Sequence, residues 1–343
     1  MRETQETVQY LCSLACLPRN PGTDGGIAAR SYLRDRLDVL GLEPAGEHGY
    51  DQHLPSIGGS NLLGIVPGHG DRFVLLAAHY DACMDNNPGA DDNAAAVAIA
   101  LDVAQQLNDQ HLDRSVIIAL FDAEEPPYFL TSTMGSQWFV DHPTVPLDRI
   151  DMMICLDLVG HALGPEGMPP EVRESVFVLG AEKSMGTGAL IDELPEREGI
   201  RPRRIDNYII PSMSDYDAFM NAEIPFLFYS VGRSEHYHAA TDTPDRLDHA
   251  KISSLTDHLT DLIMAMANRS DNPTYVANGY DDVATLKSAM AVIAPLADAS
   301  PEATMAKTLL DGLAAKAAKT GQLDDSDRSV VQLLVAQLES SLA

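Results

Sequence analysis

The sequence has 343 residues, 45% of them hydrophobic and 22% charged, which fits a globular protein with a large buried core. Its formal net charge is −28, so a nucleic-acid-binding protein is not a leading interpretation, because attraction to phosphates needs a basic surface. No apolar stretch is long enough to indicate a membrane span, and the residues after Met1 lack the pattern of a secretory signal, so we expect a cytoplasmic protein that does not contact membranes.

Predicted strands alternate with predicted helices along the first 268 residues. The predicted elements are a helix over Thr4 to Leu17, a helix over Gly25 to Leu40, strands over Asn61 to Val66 and Phe73 to Ala78, an alanine-rich helix over Asn93 to Leu107, and an amphipathic helix over Leu247 to Ala267. This alternation predicts an α/β fold in which helices cover both faces of a mixed central β-sheet, giving a three-layer α/β/α domain.

Residues that can bind metal follow the ends of several predicted strands. The apolar runs and their following residues are Phe73–Ala78 with His79, Ser115–Phe121 with Glu124-Glu125, Met152–Leu156 with Asp157, and Phe226–Tyr229 with His238; Asp91 precedes the alanine-rich helix. In open α/β sheets the functional crevice lies at the carboxyl ends of the strands, so these distant segments can converge. Nitrogen and oxygen donors without cysteine suit zinc in a catalytic role.

The four cysteines do not have the spacing of a zinc ribbon or of a disulfide framework. Reduced thiols in the core are therefore the default interpretation of Cys12, Cys16, Cys83 and Cys155. Cys83 lies near the candidate ligand His79 along the sequence, where it is able to approach the site.

The carboxyl-terminal part of the chain has a different character. Residues 269–280, with Asn272-Pro273 and Asn278-Gly279, read as a linker between a catalytic domain at 1–268 and a helical extension at 281–343. The extension predicts helices at Asp282 to Leu296, from Ser300-Pro301 to Gly321, and at Ser326 to Leu342. Its apolar stripes fit either a cap on the catalytic domain or an oligomerisation module, and we slightly favour homo-oligomer formation through these helices.

Five segments together resemble the dinuclear zinc aminopeptidases of peptidase family M28 in order and approximate spacing. They are His79-Tyr80-Asp81, Gly89-Ala90-Asp91-Asp92-Asn93, Glu124-Glu125, Leu156-Asp157, and Tyr237-His238 with the following Ala239 to Asp245. The resemblance covers roughly residues 5 to 268.

The resemblance implies two zinc ions bridged by Asp91. His79 and Asp157 would complete the ligands of one ion, and Glu125 and His238 those of the other, which leaves coordination positions open for water or substrate. Asp81 would orient the His79 ring by accepting a hydrogen bond from its second nitrogen. The resemblance also implies a cis peptide bond after the bridging aspartate, which we expect between Asp91 and Asp92.

Two further residues receive catalytic roles from the same resemblance. Glu124 matches the general base that activates the water bridging the two metals, while its neighbour Glu125 matches the ligand. Tyr237 matches the residue whose phenol donates a hydrogen bond to the oxyanion of the tetrahedral intermediate.

One segment departs from the common family pattern, and another has two possible structural roles. Ser214-Asp215-Tyr216 stands where the family often has Ser-Asp-His. This position is not a metal ligand, so the departure concerns the pocket and not the chemistry. The stiff segment Pro126 to Phe129 either lines the pocket for the first substrate side chain or belongs to the core.

The sequence thus predicts a zinc-dependent aminopeptidase that removes the amino-terminal residue of short peptides. Its negative charge favours substrates with a cationic free amino terminus. One alternative is a glutaminyl cyclase, which resembles this fold but uses one zinc ion and usually has Trp where this chain has Tyr237. Another is a noncatalytic binding protein on the same fold, although such proteins commonly lose a ligand or the base and none is missing here. Manganese or cobalt can occupy the same donors.

Overall fold

One mixed β-sheet organises the molecule. The computed structural model describes residues 2–210, 212–297 and 300–342. Within them the sheet strands are β1 (Glu43–Pro44), β2 (Asp51–Leu54), β3 (Gly59–Val66), β4 (Phe73–His79), β5 (Ser115–Phe121), β6 (Ile150–Leu156), β7 (Ser175–Leu179), β8 (Arg201–Arg204) and β9 (Phe226–Ser230). Their spatial order is β1-β3-β5-β4-β6-β9-β7-β8, and β2 pairs with β3.

Four neighbouring strands at the centre of the sheet run parallel. These are β5, β4, β6 and β9, whereas β3 and β7 flank them in antiparallel orientation. The central strands are predominantly apolar and, apart from Phe73 at the start of β4, are buried along their length, as expected for parallel strands covered on both faces. The carboxyl ends of all four therefore lie at the same edge of the sheet.

Helices cover both faces of this sheet. The described α-helices are α1 (Arg2–Leu11), α2 (Asp24–Val39), α3 (Ala95–Leu107), α4 (Gly135–Asp141), α5 (Pro170–Arg173), α6 (Thr187–Asp192), α7 (Tyr216–Asn221), α8 (His249–Ala267), α9 (Asp282–Ile293), α10 (Pro301–Thr320) and α11 (Asp325–Leu342). Side chains alternate along β4, so that Val74 and Leu76 join the core beneath α1, α2, α3 and α8, whereas Leu75 joins the core beneath α4, α7 and α9. The predicted three-layer fold with a mixed sheet is confirmed.

The carboxyl-terminal helices share the second of these cores. Leu286 and Ile293 from α9, Leu310 from α10 and Val331 from α11 are buried in the same apolar cluster as the sheet residue Phe226. Burial of each such side chain contributes about 1.5–3 kcal/mol.

An ion pair joins two of these helices beneath the surface. The carboxylate of Asp282, at the start of α9, accepts two hydrogen bonds from the guanidinium of Arg328 in α11, at 3.0 and 2.8 Å. It also accepts a hydrogen bond from the backbone of Leu323 at 2.8 Å. The inner faces of the extension are thus used within the chain, and self-association through its outer faces stays a prediction.

The first predicted helix is shorter than expected. It ends at Leu11, and a separate single turn of 3₁₀-helix follows at Leu14–Cys16. Leu17 has an extended backbone (φ −104°, ψ 135°), because the ring of Pro18 disfavours a helical conformation in the residue before it. In the part of the chain that the structure describes, no helix combines the length and the apolar character that crossing a membrane requires.

Candidate metal centre

The parallel strands bring the predicted donors to one edge of the sheet. His79 is the last residue of β4, Asp157 directly follows β6, and the pair Glu124-Glu125 lies just beyond β5. His238 lies in the loop that follows β9. The side chains of these segments form overlapping groups whose donor atoms lie within 4.8 Å of one another.

Asp92, and not Asp91, lies between the two histidines. One carboxylate oxygen of Asp92 is 3.3 Å from Nε2 of His79, and the other is 3.3 Å from Nε2 of His238. Asp157 Oδ1 lies 3.6 Å from the same nitrogen of His79, and Glu125 Oε2 lies 3.1 Å from that of His238. The arrangement offers His79, Asp92 and Asp157 for one cation, and Asp92, Glu125 and His238 for a second.

The carboxylate of Asp91 points away from this cluster, so its predicted bridging position is wrong. It accepts a hydrogen bond from the backbone N–H of Gly160 and contacts Nδ1 of His161, both at 2.7 Å. The cis peptide bond is likewise one residue later than expected, between Asp92 and Asn93. Backbone direction in the turn before α3 decides which of the two adjacent carboxylates faces the histidines.

Several buried donor atoms at this edge have no hydrogen-bond partner within the described chain. They are Nε2 of His79, Oδ2 of Asp92 and Oδ1 of Asp157. Leaving a buried polar atom without a partner costs about 1–3 kcal/mol, and more for a charged group. Unpartnered imidazole and carboxylate atoms that converge in this way fit a cation, and these donors are those that zinc accepts.

Asp81 connects the ring of His79 to the neighbouring glutamates. Its Oδ1 lies 3.3 Å from Nδ1 of His79, the ring nitrogen on the far side from Asp92. The same carboxylate accepts hydrogen bonds from the backbone N–H groups of Glu124 and Glu125, both at 3.1 Å. Asp81 is therefore placed to orient one donor and to hold the loop that carries two more.

Asp242 holds the segment that carries Asp92, and the sequence reasoning did not single it out. Its carboxylate accepts hydrogen bonds from the backbone N–H groups of Asp91 at 2.9 Å and Asp92 at 3.1 Å. The signal available in the sequence was its position four residues after the candidate ligand His238.

Burial and crowding of carboxylates perturb the proton affinities of the cluster. Burial raises the pKa of Glu124 well above its usual range, and that of Glu125 to about 7. Burial alone would lower the pKa of His238, but contacts with Asp92 and Glu125 raise it to about 9. A bound cation would oppose protonation of both histidines, because a ring nitrogen must lose its proton to become a ligand.

Cys83 also approaches the second donor group. Its sulfur lies within 4.8 Å of donor atoms of Glu125 and His238, and its backbone N–H donates to Glu125 Oε1 at 3.2 Å. The pKa of the thiol is raised to about 12, mainly by burial and secondly by the negative charge of Glu125. Cys83 is thus a buried thiol beside the cluster.

A cavity of about 110 Å³ opens directly onto the cluster. Its lining includes Asp92, Glu124, Glu125, Asp157 and His238. Pro126 and Phe129 line its side, so the segment after Glu125 belongs to the pocket wall. The volume is below the 300–1,000 Å³ of typical drug-sized ligand pockets, so it admits a small group such as one side chain.

Tyr237 lines the same pocket with its ring against that of His238. The two ring centres are 3.8 Å apart and the planes are nearly parallel. The pKa of the phenol is raised well above its usual value, mainly by burial and secondly by the negative charge of Asp92. Tyr237 therefore keeps its proton and can donate a hydrogen bond into the pocket.

Two charged residues that the sequence reasoning did not single out also reach the pocket. Arg233 lies in the loop between β9 and His238, and Glu339 comes from α11 in the carboxyl-terminal extension. No motif marks Glu339, because its position depends on how α11 packs across the sheet.

Comparison with known proteins places this site within a family. The sequence model of peptidase family M28 matches residues 61–263, which include every donor described above. The uncharacterized protein YfbL of Escherichia coli K12 is 26% identical over 290 residues, covering 76% of this chain and 87% of YfbL.

Solved structures share the fold at low sequence identity. A Zn-dependent exopeptidase from Parabacteroides distasonis superposes with a TM-score of 0.60 at 19% identity, over 78% of this chain and 98% of the other. A glutaminyl cyclase from Bacteroides thetaiotaomicron superposes with a TM-score of 0.59 at 18% identity, over the same shares of the two chains. Because the family match spans more than half of the sequence, the chain belongs to peptidase family M28.

Proposed function

We propose that this protein is a zinc-dependent aminopeptidase that hydrolyses the first peptide bond of short peptides. The observation that carries the proposal is the position of Asp92, whose two carboxylate oxygens each lie 3.3 Å from a different histidine nitrogen. His79, Asp92 and Asp157 would hold one zinc ion, and Asp92, Glu125 and His238 the other. Zinc bound there would polarise the substrate carbonyl and lower the pKa of a water molecule.

Glu124 would be the general base. Its Oε2 is 3.9 Å from His79 Nε2, farther than the oxygens of Asp92 and Asp157, and the side chain lines the pocket. Burial raises its proton affinity, so it can take a proton from the attacking water and transfer it to the leaving amine. Tyr237 would donate its phenol proton in a hydrogen bond to the oxyanion, while Asp81 holds His79 and the Glu124 backbone in place.

The Glu124→Gln variant tests this assignment. We expect hydrolysis of aminoacyl amides and dipeptides to fall about 10²–10⁴-fold, because the amide cannot accept the proton. Two zinc ions per chain should remain by elemental analysis, since Glu124 is not a ligand in this scheme. Glu47→Gln, which makes the same change at an exposed position, serves as the matched control. Full activity in Glu124→Gln would refute the assignment of the base.

A glutaminyl cyclase is the second candidate, because a solved cyclase shares the fold and a glutaminyl-peptide cyclotransferase of Drosophila melanogaster is 27% identical over 163 residues. The separate donors on each side of Asp92 favour two cations, and Tyr237 stands where cyclases usually have Trp. A peptide with amino-terminal glutamine distinguishes the two, since a cyclase releases ammonia and an aminopeptidase releases glutamine. One zinc ion per chain together with ammonia release would select the cyclase.

A further inference from the structure

Arg233 differs from the other arginines of this protein. Every other arginine whose side chain the structure describes contacts at least one oxygen atom of a carboxylate, a hydroxyl or a carbonyl group, as illustrated by Arg19, Arg114 and Arg246. For Arg233 the structure gives two contacts, neither with oxygen: Nη2 lies 3.8 Å from the sulfur of Met213, and the guanidinium lies over the ring of Tyr237. In a chain with a net charge of −28, an arginine without an anionic partner calls for an explanation.

The position of Arg233 connects it to the proposed reaction centre. Its guanidinium carbon is 5.1 Å from the centre of the Tyr237 ring, which is 3.8 Å from the centre of the His238 ring. The guanidinium therefore lies no more than about 9 Å from the His238 ring. An extended peptide advances about 3.3–3.6 Å per residue, so this upper limit corresponds to at most about two residues beyond a bond held at the proposed metal centre, once a hydrogen bond is included.

The charges around the pocket indicate what Arg233 binds. Five of the lining residues are acidic, and four of them, Asp92, Glu124, Glu125 and Asp157, belong to the proposed zinc site, so Glu339 is the acidic lining residue outside that site. Arg233 is the one arginine or lysine among the residues that the structure places in the lining. The planar guanidinium, with its five N–H groups, matches the geometry of a carboxylate. Its contact with the Tyr237 ring uses none of these N–H groups, so those not directed at Met213 are available to a ligand.

We propose that Arg233 binds the terminal α-carboxylate of the substrate, so that dipeptides, and secondarily tripeptides, are the substrate class of this enzyme. The inference rests on the proposed aminopeptidase function and adds the length of its substrate. Longer peptides place their terminal carboxylate beyond the reach of Arg233 and lose this interaction. Arg233 is a specificity-determining residue in this scheme, and Glu124 and Tyr237 keep their roles.

The test compares free acids with carboxamides. The zinc-loaded wild-type protein is assayed on alanyl-leucine and leucyl-leucine, each with a free carboxylate and as the carboxamide. We expect kcat/KM to be about ten- to a hundredfold higher for the acids, as for other charge-assisted bidentate contacts. This preference should shrink as salt is raised, because Arg233 is exposed.

Variants of Arg233 provide a second test of the inference. Arg233→Gln should lower kcat/KM for the acids about ten- to a hundredfold more than for the carboxamides, so that the preference for acids disappears, whereas Arg233→Lys should recover part of that preference. Arg246→Gln is the matched control, since it removes an arginine from the same loop region outside the pocket lining. Its acid preference should equal that of the wild type.

Each other outcome overturns a defined part of the scheme. Equal rates for acids and carboxamides in the wild type overturn the inference, and this comparison does not depend on any variant folding. Equal losses on both substrate types in Arg233→Gln also overturn it, because they would show that Arg233 acts through Tyr237 or through the fold. Cleavage of none of the four dipeptides by the zinc-loaded protein would instead overturn the proposed function, and the inference with it.

Discussion

Asp91 and Asp92 are neighbours with different surroundings, and substitution of each should separate their roles. In Asp92→Asn we expect the affinity for zinc to fall by at least about tenfold, because the residue contacts both histidines and loses its charge. In Asp91→Asn zinc should be retained, because that side chain contacts Gly160 and His161. Zinc titration of the two proteins against a competing chelator measures the difference. Loss of zinc in Asp91→Asn alone would restore the bridging role to Asp91.

The donors differ in how far the sequence could predict their placement. His79 and Asp157 sit at the ends of apolar strands, so the strand boundaries place them at the edge of the sheet. The choice between Asp91 and Asp92 depends on backbone dihedrals in the turn before α3, and two adjacent aspartates carry no pattern that reveals those angles. Arg233 was not predictable because its lack of an oxygen partner is a property of the folded chain.

At the level of single elements, the contact between α8 and β9 should make stability depend on pH. His258 of α8 is buried with Nε2 3.1 Å from the hydroxyl of Tyr229, and burial lowers its pKa to about 4. Below the ordinary histidine pKa of about 6.5, His258 therefore becomes protonated in the unfolded chain but stays neutral in the folded chain. The free energy of unfolding consequently falls as the pH falls towards 4.

The size of this effect can be measured with a variant. Between about pH 7.5 and pH 5, His258 should account for a loss of about 2 kcal/mol in the free energy of unfolding. Urea unfolding of the wild type and of His258→Gln at both pH values isolates this contribution, since the other titrating groups are common to both. Parallel pH dependence in the two proteins would contradict the assignment.

Helix α10 offers a second test at the same scale, because two adjacent leucines face different surroundings. Leu310 is 0% exposed within the core under the sheet, whereas Leu309 is 46% exposed. Leu310→Ala should lower the free energy of unfolding by about 2–5 kcal/mol, and Leu309→Ala by less than about 1 kcal/mol. Both proteins should unfold in one transition, because the core is shared. A separate early transition in Leu310→Ala would show that the carboxyl-terminal helices unfold independently.

The elements themselves were predictable to different degrees. Strand β5 has the predicted ends, because Ser115 to Phe121 is a continuous apolar run between polar segments. Strand β8 has the sequence Arg-Pro-Arg-Arg and lies at the edge of the sheet, so it lacks the apolar pattern from which a strand is inferred. Its place is decided by pairing with β7, a contact that only the tertiary structure shows.

For the molecule as a whole, homo-oligomer formation through the outer face of the carboxyl-terminal helices stays a prediction. Met305 of α10 and Leu333 of α11 are 62% and 69% exposed, which leaves apolar surface outside the shared core. Because two chains of charge −28 repel each other, association should strengthen as salt is added and weaken in Leu333→Lys. Sedimentation equilibrium measures the mass. The mass of a single chain at every salt concentration would contradict the prediction of a homo-oligomer.

The position of Glu339 has a consequence for the order in which the protein is made. The last candidate donor, His238, precedes Glu339 by about 100 residues, yet both line one pocket. At translation rates of about 5–20 residues per second, the donors are therefore synthesised some 5–20 s before the helix that completes the pocket wall. During that interval the nascent chain carries every candidate metal donor but lacks the helices that share the core and complete the pocket wall, so we expect the pocket to form only after those helices have been made.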